Sequence, residues 1–209
     1  VEIGGELSSK KSMFFPDKEL HLEFLSEQQA LKEQVTAAKK LLDEGTSKTG
    51  IIACETFDYD IIDKIYKPFD NLTLNVLMNA DGTTSRRVLA GVAEALKADF
   101  SDDVSKERLK GIFRAPSLKM LSFTITEKGY QLKRTDGSLL PVVESDMKEG
   151  PFKARHAMSI VAALLLERFN AGAHPIAVVS MDNCSHNGEK LMSAVLAVAA
   201  AWRDNGFVS

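Results

Sequence analysis

PIAVVSMDNCSHNGEKLMSAVLAVAAAWRDNG, residues 175–206, sets the reading of this chain. PIAVVSMD is an apolar run of strand length, and EKLMSAVLAVAAAWRDNG is built of helix formers and stops at a glycine. An acid, two amides, a histidine and a glycine lie between them as a polar turn. The same alternation precedes it. KMLSFTITEKGYQL, 119–132, is β-like as far as Thr126, where Lys-Gly breaks the pattern, and KARHAMSIVAALLLERFNAG, 153–172, is an amphipathic helix with Gly172 as its stop. Strand, helix, strand, helix in this order indicates an α/β domain with a mostly parallel sheet and flanking helices.

Upstream, residues 1–25 form a poorly specified lead-in, and 26–209 form the domain. SEQQALKEQVTAAKKLLDEG, 26–45, has a Ser cap with Gln29 three residues on, and Leu31, Val35, Ala38 and Leu42 share one helical face. GIIAC, 50–54, is a short buried strand, and DYDIIDKIY, 58–66, is a helix that Pro68 closes. NLTLNVLMNADG, 71–82, alternates into a turn as a strand should; SRRVLAGVAEALKAD, 85–99, then reads as a strand entering a helix, with a further helix over Ser105–Phe113.

The chain has 209 residues, 44% of them hydrophobic, enough for a core without crosslinks. Its 26 basic against 29 acidic residues and net charge of −3 argue against a nucleic-acid partner, which calls for a basic surface. Cys54 and Cys184 each end an apolar run and read as small buried side chains rather than a disulfide, and no Cys/His spacing suits a metal. VEIGGELSSKK lacks the apolar stretch of a secretion signal, and no later run is long enough to span a bilayer, so the cytoplasm is the expected location.

Ligands of open α/β sheets sit outside the carboxyl ends of the strands, where CETFD, TEKG and MDNCSHNG all fall. Each has a plain structural reading: Thr124 and Thr126 fill a strand, Glu55 and Asp58 cap a helix, and Asp182, Asn183, His186 and Asn187 make a turn bonded to itself. Their shared topological position favours a site. An acid at Glu55 or Asp58 can accept from both ribose hydroxyls of a dinucleotide while repelling a 2′-phosphate, which favours NAD and leaves NADP as the alternative. Asn183 and Asn187 can donate amide hydrogens to an oxygen on which charge develops. His186 is an acid by type, but its turn context suits an orienting or capping role. No GxGxxG fingerprint is present; VEIGGE has no third glycine, and HLEFLSEQQ, 21–29, has none at all.

Together SFTITEKGY, 122–130, and VVSMDNCSHNG, 178–188, resemble the signatures of the polyol-specific long-chain dehydrogenases, the family of mannitol 2-dehydrogenase and fructuronate reductase. The similarity runs from about Leu41 to Trp202, with Met181 where the family usually has Cys. The resemblance implies a Rossmann-like fold and metal-free, NAD- or NADP-dependent interconversion of a secondary alcohol and a ketone on an open-chain polyol or hexuronate. Carried over by motif, Thr124, Thr126 and Asp182 would lie beside the cofactor, Glu55 or Asp58 would meet its adenosine ribose, and Asn183 or Asn187 would polarise the substrate carbonyl. Two departures stand out. HLEFLSEQQ keeps only His21 and Phe24 of the family's phosphate-wrapping loop, and the chain ends at FVS before the helical domain that carries the family's lysine base. An expectation of a different class follows from the first departure: a diverged, non-catalytic module that binds a nucleotide or a protein. Apolar surface left uncovered by an absent domain would favour a homo-oligomer.

Overall fold

The structure, a computed structural model, describes residues 50–208. The lead-in and the helix read at 26–45 lie outside the described residues. The chain divides into two compact units, Val1–Lys97 and Ala98–Ser209.

In the first unit β1 (Ile51–Glu55) pairs in parallel with β4 (Val92–Lys97), and β2 (Thr73–Met78) pairs antiparallel with β3 (Thr84–Leu89). The helix expected over 58–66 is a wide π-type turn, Ile61–Tyr66, followed by a 3-10 turn, Lys67–Phe69, in which Pro68 supplies a preset φ. Asp70 and Asn71 then take left-handed φ of 52° and 60°, which short polar side chains tolerate, and Asn71 N–H bonds Tyr66 O at 2.9 Å. The β2–β3 turn closes on Gly82, φ 81°, while the Asp81 carboxylate accepts from Thr83 N–H at 2.9 Å.

Residues 85–99 differ from the expected strand and helix: they hold most of β3 and all of β4. The buried residues Leu89, Val92 and Ala95 stand three apart, which imitates a helical face. The spacing comes instead from the Ala90-Gly91 break between strands and from a register irregularity, since Ile51 opposes Val92 but Ile52 opposes Glu94. Leu89, Val92 and Ala95 join Ile62 and Tyr66 in one core, so burial overrides the helix propensity of VAEALK.

In the second unit α1 (Asp103–Arg114) begins at Asp102, whose carboxylate accepts from Val104 N–H at 3.1 Å and Ser105 N–H at 3.3 Å. A parallel pair follows, β5 (Met120–Phe123) with β6 (Ala177–Ser180), in register Met120↔Ala177 through Phe123↔Ser180. Between them lie α2 (Pro141–Glu149), not anticipated from the sequence, and α3 (Ala157–Asn170); α4 (Asn187–Asp204) follows β6. α3 is enclosed rather than amphipathic, because Met158 through Leu164 are all buried and the helix packs against both α1 and α4. Trp202 of α4 is buried and donates its Nε1–H to Asp146 O at 2.9 Å, tying α4 to α2.

Arg168, 2% exposed, donates to five main-chain carbonyls: His174 and Pro175 ahead of β6, Phe113 in the last turn of α1, and Ala115 and Leu118 between α1 and β5, at 2.7–2.9 Å. Neither cysteine lies fully inside a core: Cys54, exposed, is paired within β1, and Cys184, half-buried, is in the loop after β6, both as free thiols. Among the described residues no helix is long and apolar enough to cross a membrane.

Replacing Arg168 by Met is expected to lower stability by at least about 3 kcal/mol, because each buried acceptor left without a donor costs about 1–3 kcal/mol. Arg168→Lys, with three donors on one atom, should fall between. Urea midpoints read both; a Met variant as stable as the parent would refute the anchoring role.

Candidate functional site

β5 and β6 end together, with Met181 N–H bonding Phe123 O at 2.9 Å beyond the last paired residues. The chains then part. One continues through Thr124–Thr126 into a 3-10 turn, Glu127–Tyr130, and the other through Asp182–His186 into α4. The strand expected to reach Thr126 therefore stops at Phe123. Two residues beyond its end a main-chain donor is taken by a side chain: Asp182 Oδ1 accepts from Ile125 N–H at 2.6 Å.

Asp182 is 7% exposed, and its second oxygen accepts from the Tyr130 hydroxyl. Tyr130 Oη also lies 2.9 Å from Ser180 Oγ. Burial first, and the adjoining carboxylate second, push the Tyr130 phenol far above its usual range, so it stays a protonated donor. The ring packs with Met158, Leu191 and Ala194. Tyr130 is the residue that motif reading missed as a participant. The signal was available, since a tyrosine placed in a core needs a partner for its hydroxyl and the nearest strand end offered an aspartate. A Cβ at Gly129 beside it would stand 2.8 Å from Ile125 Cδ1, so a side chain there would require Ile125 to shift.

Asn183 and Asn187 are brought to the same loop but differ in employment. Asn187 Nδ2 donates to Asp182 O at 2.8 Å and reaches Ser180 O at 3.4 Å, while its Oδ1 accepts from Gly188 N–H at 2.7 Å. It thereby closes the turn that launches α4. Asn183 is exposed. His186 is exposed with a left-handed φ of 56°, makes no side-chain cap, and places Nδ1 3.4 Å from Glu189 Oε2. Thr124 is half-buried and Thr126 exposed, its carbonyl accepting from Gly129 N–H at 2.8 Å. Lys190 of α4 pairs with Glu127, a second link between the two loops.

In the first unit Glu55 ends β1, and its Oε1 accepts from Thr56 N–H at 2.8 Å and Phe57 N–H at 2.9 Å. Those bonds fix the carboxylate at the strand's carboxyl end. Asp58 is exposed and engages the following turn, with Oδ1 3.3 Å from Asp60 N–H. Among the described residues no group of His, Cys, Asp or Glu is placed to hold a metal ion.

Each unit holds a parallel strand pair with a polar loop at its carboxyl end, and in the second unit helices flank the pair, a mixed α/β arrangement of the Rossmann-like kind. The fold is similar to solved structures of D-sorbitol dehydrogenase, TM-score 0.69, and of Pseudomonas fluorescens mannitol 2-dehydrogenase with NAD and D-mannitol, TM-score 0.67. Each is 24% identical and is matched over 82% of this chain and 35% of its own. No family profile matches the chain. It is 51% identical over 170 residues to D-mannonate oxidoreductase of Thermotoga maritima, covering 81% of this chain and 31% of that protein. It is 33% identical over 126 residues to mannitol 2-dehydrogenase of Pyrenophora tritici-repentis, covering 59% of this chain and 21% of that protein. Over most of its own length the chain is similar to the polyol and uronate long-chain dehydrogenases, and it spans a third or less of the length of these two relatives.

Asn187→Ala is expected to cost about 1–2 kcal/mol in a thermal or urea melt through the lost loop bonds, and Asn183→Ala less than about 0.5 kcal/mol. Equal losses would contradict the division of labour drawn here.

Proposed function

We propose that the chain is the cofactor-binding domain, residues 26–209, of an NAD(P)-dependent oxidoreductase that interconverts a secondary alcohol and a ketone on an open-chain polyol or hexuronate. The observation that carries this reading is the convergence of TEKGY and MDNCSHNG at the carboxyl ends of one parallel strand pair. The 51% identity with a D-mannonate oxidoreductase favours the sugar-acid side of that substrate range.

Each unit by itself offers groups that suit part of a nicotinamide dinucleotide. Glu55 offers a carboxylate to ribose hydroxyls, with one oxygen already oriented by two main-chain N–H groups; Asp58, occupied with its own turn, is the weaker choice. Thr124 and Thr126 offer hydroxyls, and Asp182 serves the cofactor side by holding the chain beneath them. The chemistry that a bound nicotinamide would supply is hydride exchange with the carbinol carbon. Asn183, on the exposed side of the loop, would donate its amide hydrogens to the substrate oxygen as negative charge develops there. Asn187 would support it from below, since its own amide hydrogens are directed to carbonyls. The two free thiols accord with a reducing compartment and so with the cytoplasm.

Fluorescence titration of this chain should show saturable NADH binding, with NADPH weaker by at least about tenfold and Glu55→Gln narrowing that gap. No saturation by about 1 mM NADH, a binding energy of only about 4 kcal/mol, would refute the reading.

Exposed Leu74, Val76 and Met78 share one face of the β2–β3 hairpin with Val88, which supports self-association. Light scattering is expected to show a mass that rises with concentration; a constant monomer mass would refute this part of the proposal.

A further inference from the structure

We infer that Tyr130 is a positioning residue, acting through Asp182 to hold the loop of Thr124 and Thr126 in fixed relation to the loop of Asn183. The inference rests on the cofactor reading above and extends it to a residue that touches neither cofactor nor substrate. A core position filled by an aromatic ring needs no hydroxyl, and burying one is unfavourable without a partner. Tyr130 is 4% exposed, and its hydroxyl reaches the Asp182 carboxylate, with Ser180 Oγ 2.9 Å away. That carboxylate is itself a bridge, because its other oxygen takes the Ile125 N–H at 2.6 Å, between the two threonines. Asp182 directly precedes Asn183, so the rotation of one side chain sets how far the two loops stand apart. The phenol fixes that rotation from the core side. Phe in its place would fill the same space beside Met158, Leu191 and Ala194 and remove only the donor.

The test uses the full chain and three variants, Tyr130→Phe, Asp182→Asn and the double substitution, each followed by NADH titration, thermal melting and amide hydrogen exchange. Tyr130→Phe is expected to stay folded, to weaken NADH by about tenfold, and to speed exchange at Ile125 N–H while Val161 N–H in α3 is unchanged. If Tyr130 acts through Asp182, the double variant should be no more than about twofold weaker than the worse single one. Should Tyr130→Phe fail to fold, Asp182→Asn, which keeps an oxygen for Ile125 N–H, carries the same comparison. A purely structural tyrosine would lower the melting temperature and leave the NADH affinity within about twofold at temperatures well below it; that result overturns the inference. Parent chain that binds NADH with an unaltered variant condemns the positioning role alone, whereas a parent that does not bind NADH overturns the cofactor reading and this role together.

Discussion

A pair of parallel strands only four residues long is held at both ends by a buried ionisable side chain, and the arrangement of the second unit follows from that. At the amino ends of β5 and β6 the Arg168 guanidinium takes five carbonyls. At the carboxyl ends the Asp182 carboxylate takes the Ile125 amide and the Tyr130 hydroxyl. Four paired residues are short even for a strand, and two strands alone are marginal in water. Burying a charge is unfavourable unless its hydrogen-bonding capacity is met, and in each case it is. Only arginine could serve at the first end, because five donors in one rigid plane match five carbonyls that approach from two segments of chain.

The two clamps differ in what they leave outside. Arg168 closes its end completely; the connections from α1 and from α3 are drawn onto one buried group. Asp182 uses its carboxylate inward and presents its neighbours outward, so that Asn183, Thr126 and the start of α4 emerge from a fixed base. Strand ends of this kind are where α/β folds place ligands, and the asymmetry here gives a physical reason: one end is consumed by packing, the other keeps polar groups accessible on a rigid support.

Much of this was legible in the residues. Apolar runs of strand length, capped helices and glycine stops located β1, β2, β5, β6, α1, α3 and α4, and the polar residues read at strand ends supplied the candidate site. What escaped has specific causes. Leu89, Val92 and Ala95 imitate a helical face because a strand break and a register shift reset the two-residue period. The strand through TITEK ends early because a side chain 57 residues away captures the Ile125 amide, a long-range event with no local mark. The helix at 141–149 had signals, Pro141 at its first position and Gly150 at its end with φ 88°, but its PVVESDMKE pattern is too short to show a period. Arg168 sits in LLLERFN, where an arginine ordinarily extends to solvent; nothing in the spacing says that five carbonyls await it.

MDNCSHNG shows why a polar motif cannot be divided into structural and catalytic readings before the fold is seen. Its residues carry structural bonds, and on the function proposed above one of them would also carry the catalytic amide. Asp182 faces inward and fixes the neighbouring loop; Asn187, five positions on, reaches back to the Asp182 carbonyl and closes the turn. Between them Asn183 is left exposed on a loop whose two ends are both tied. An amide that must meet a developing negative charge gains most when its position is set beforehand, because the reaction then bears no cost of orienting it. On the proposed reading the residues that looked like competitors for one catalytic role would be parts of one device, and the capping bonds that argued for a mere turn are what hold the main chain on either side of Asn183.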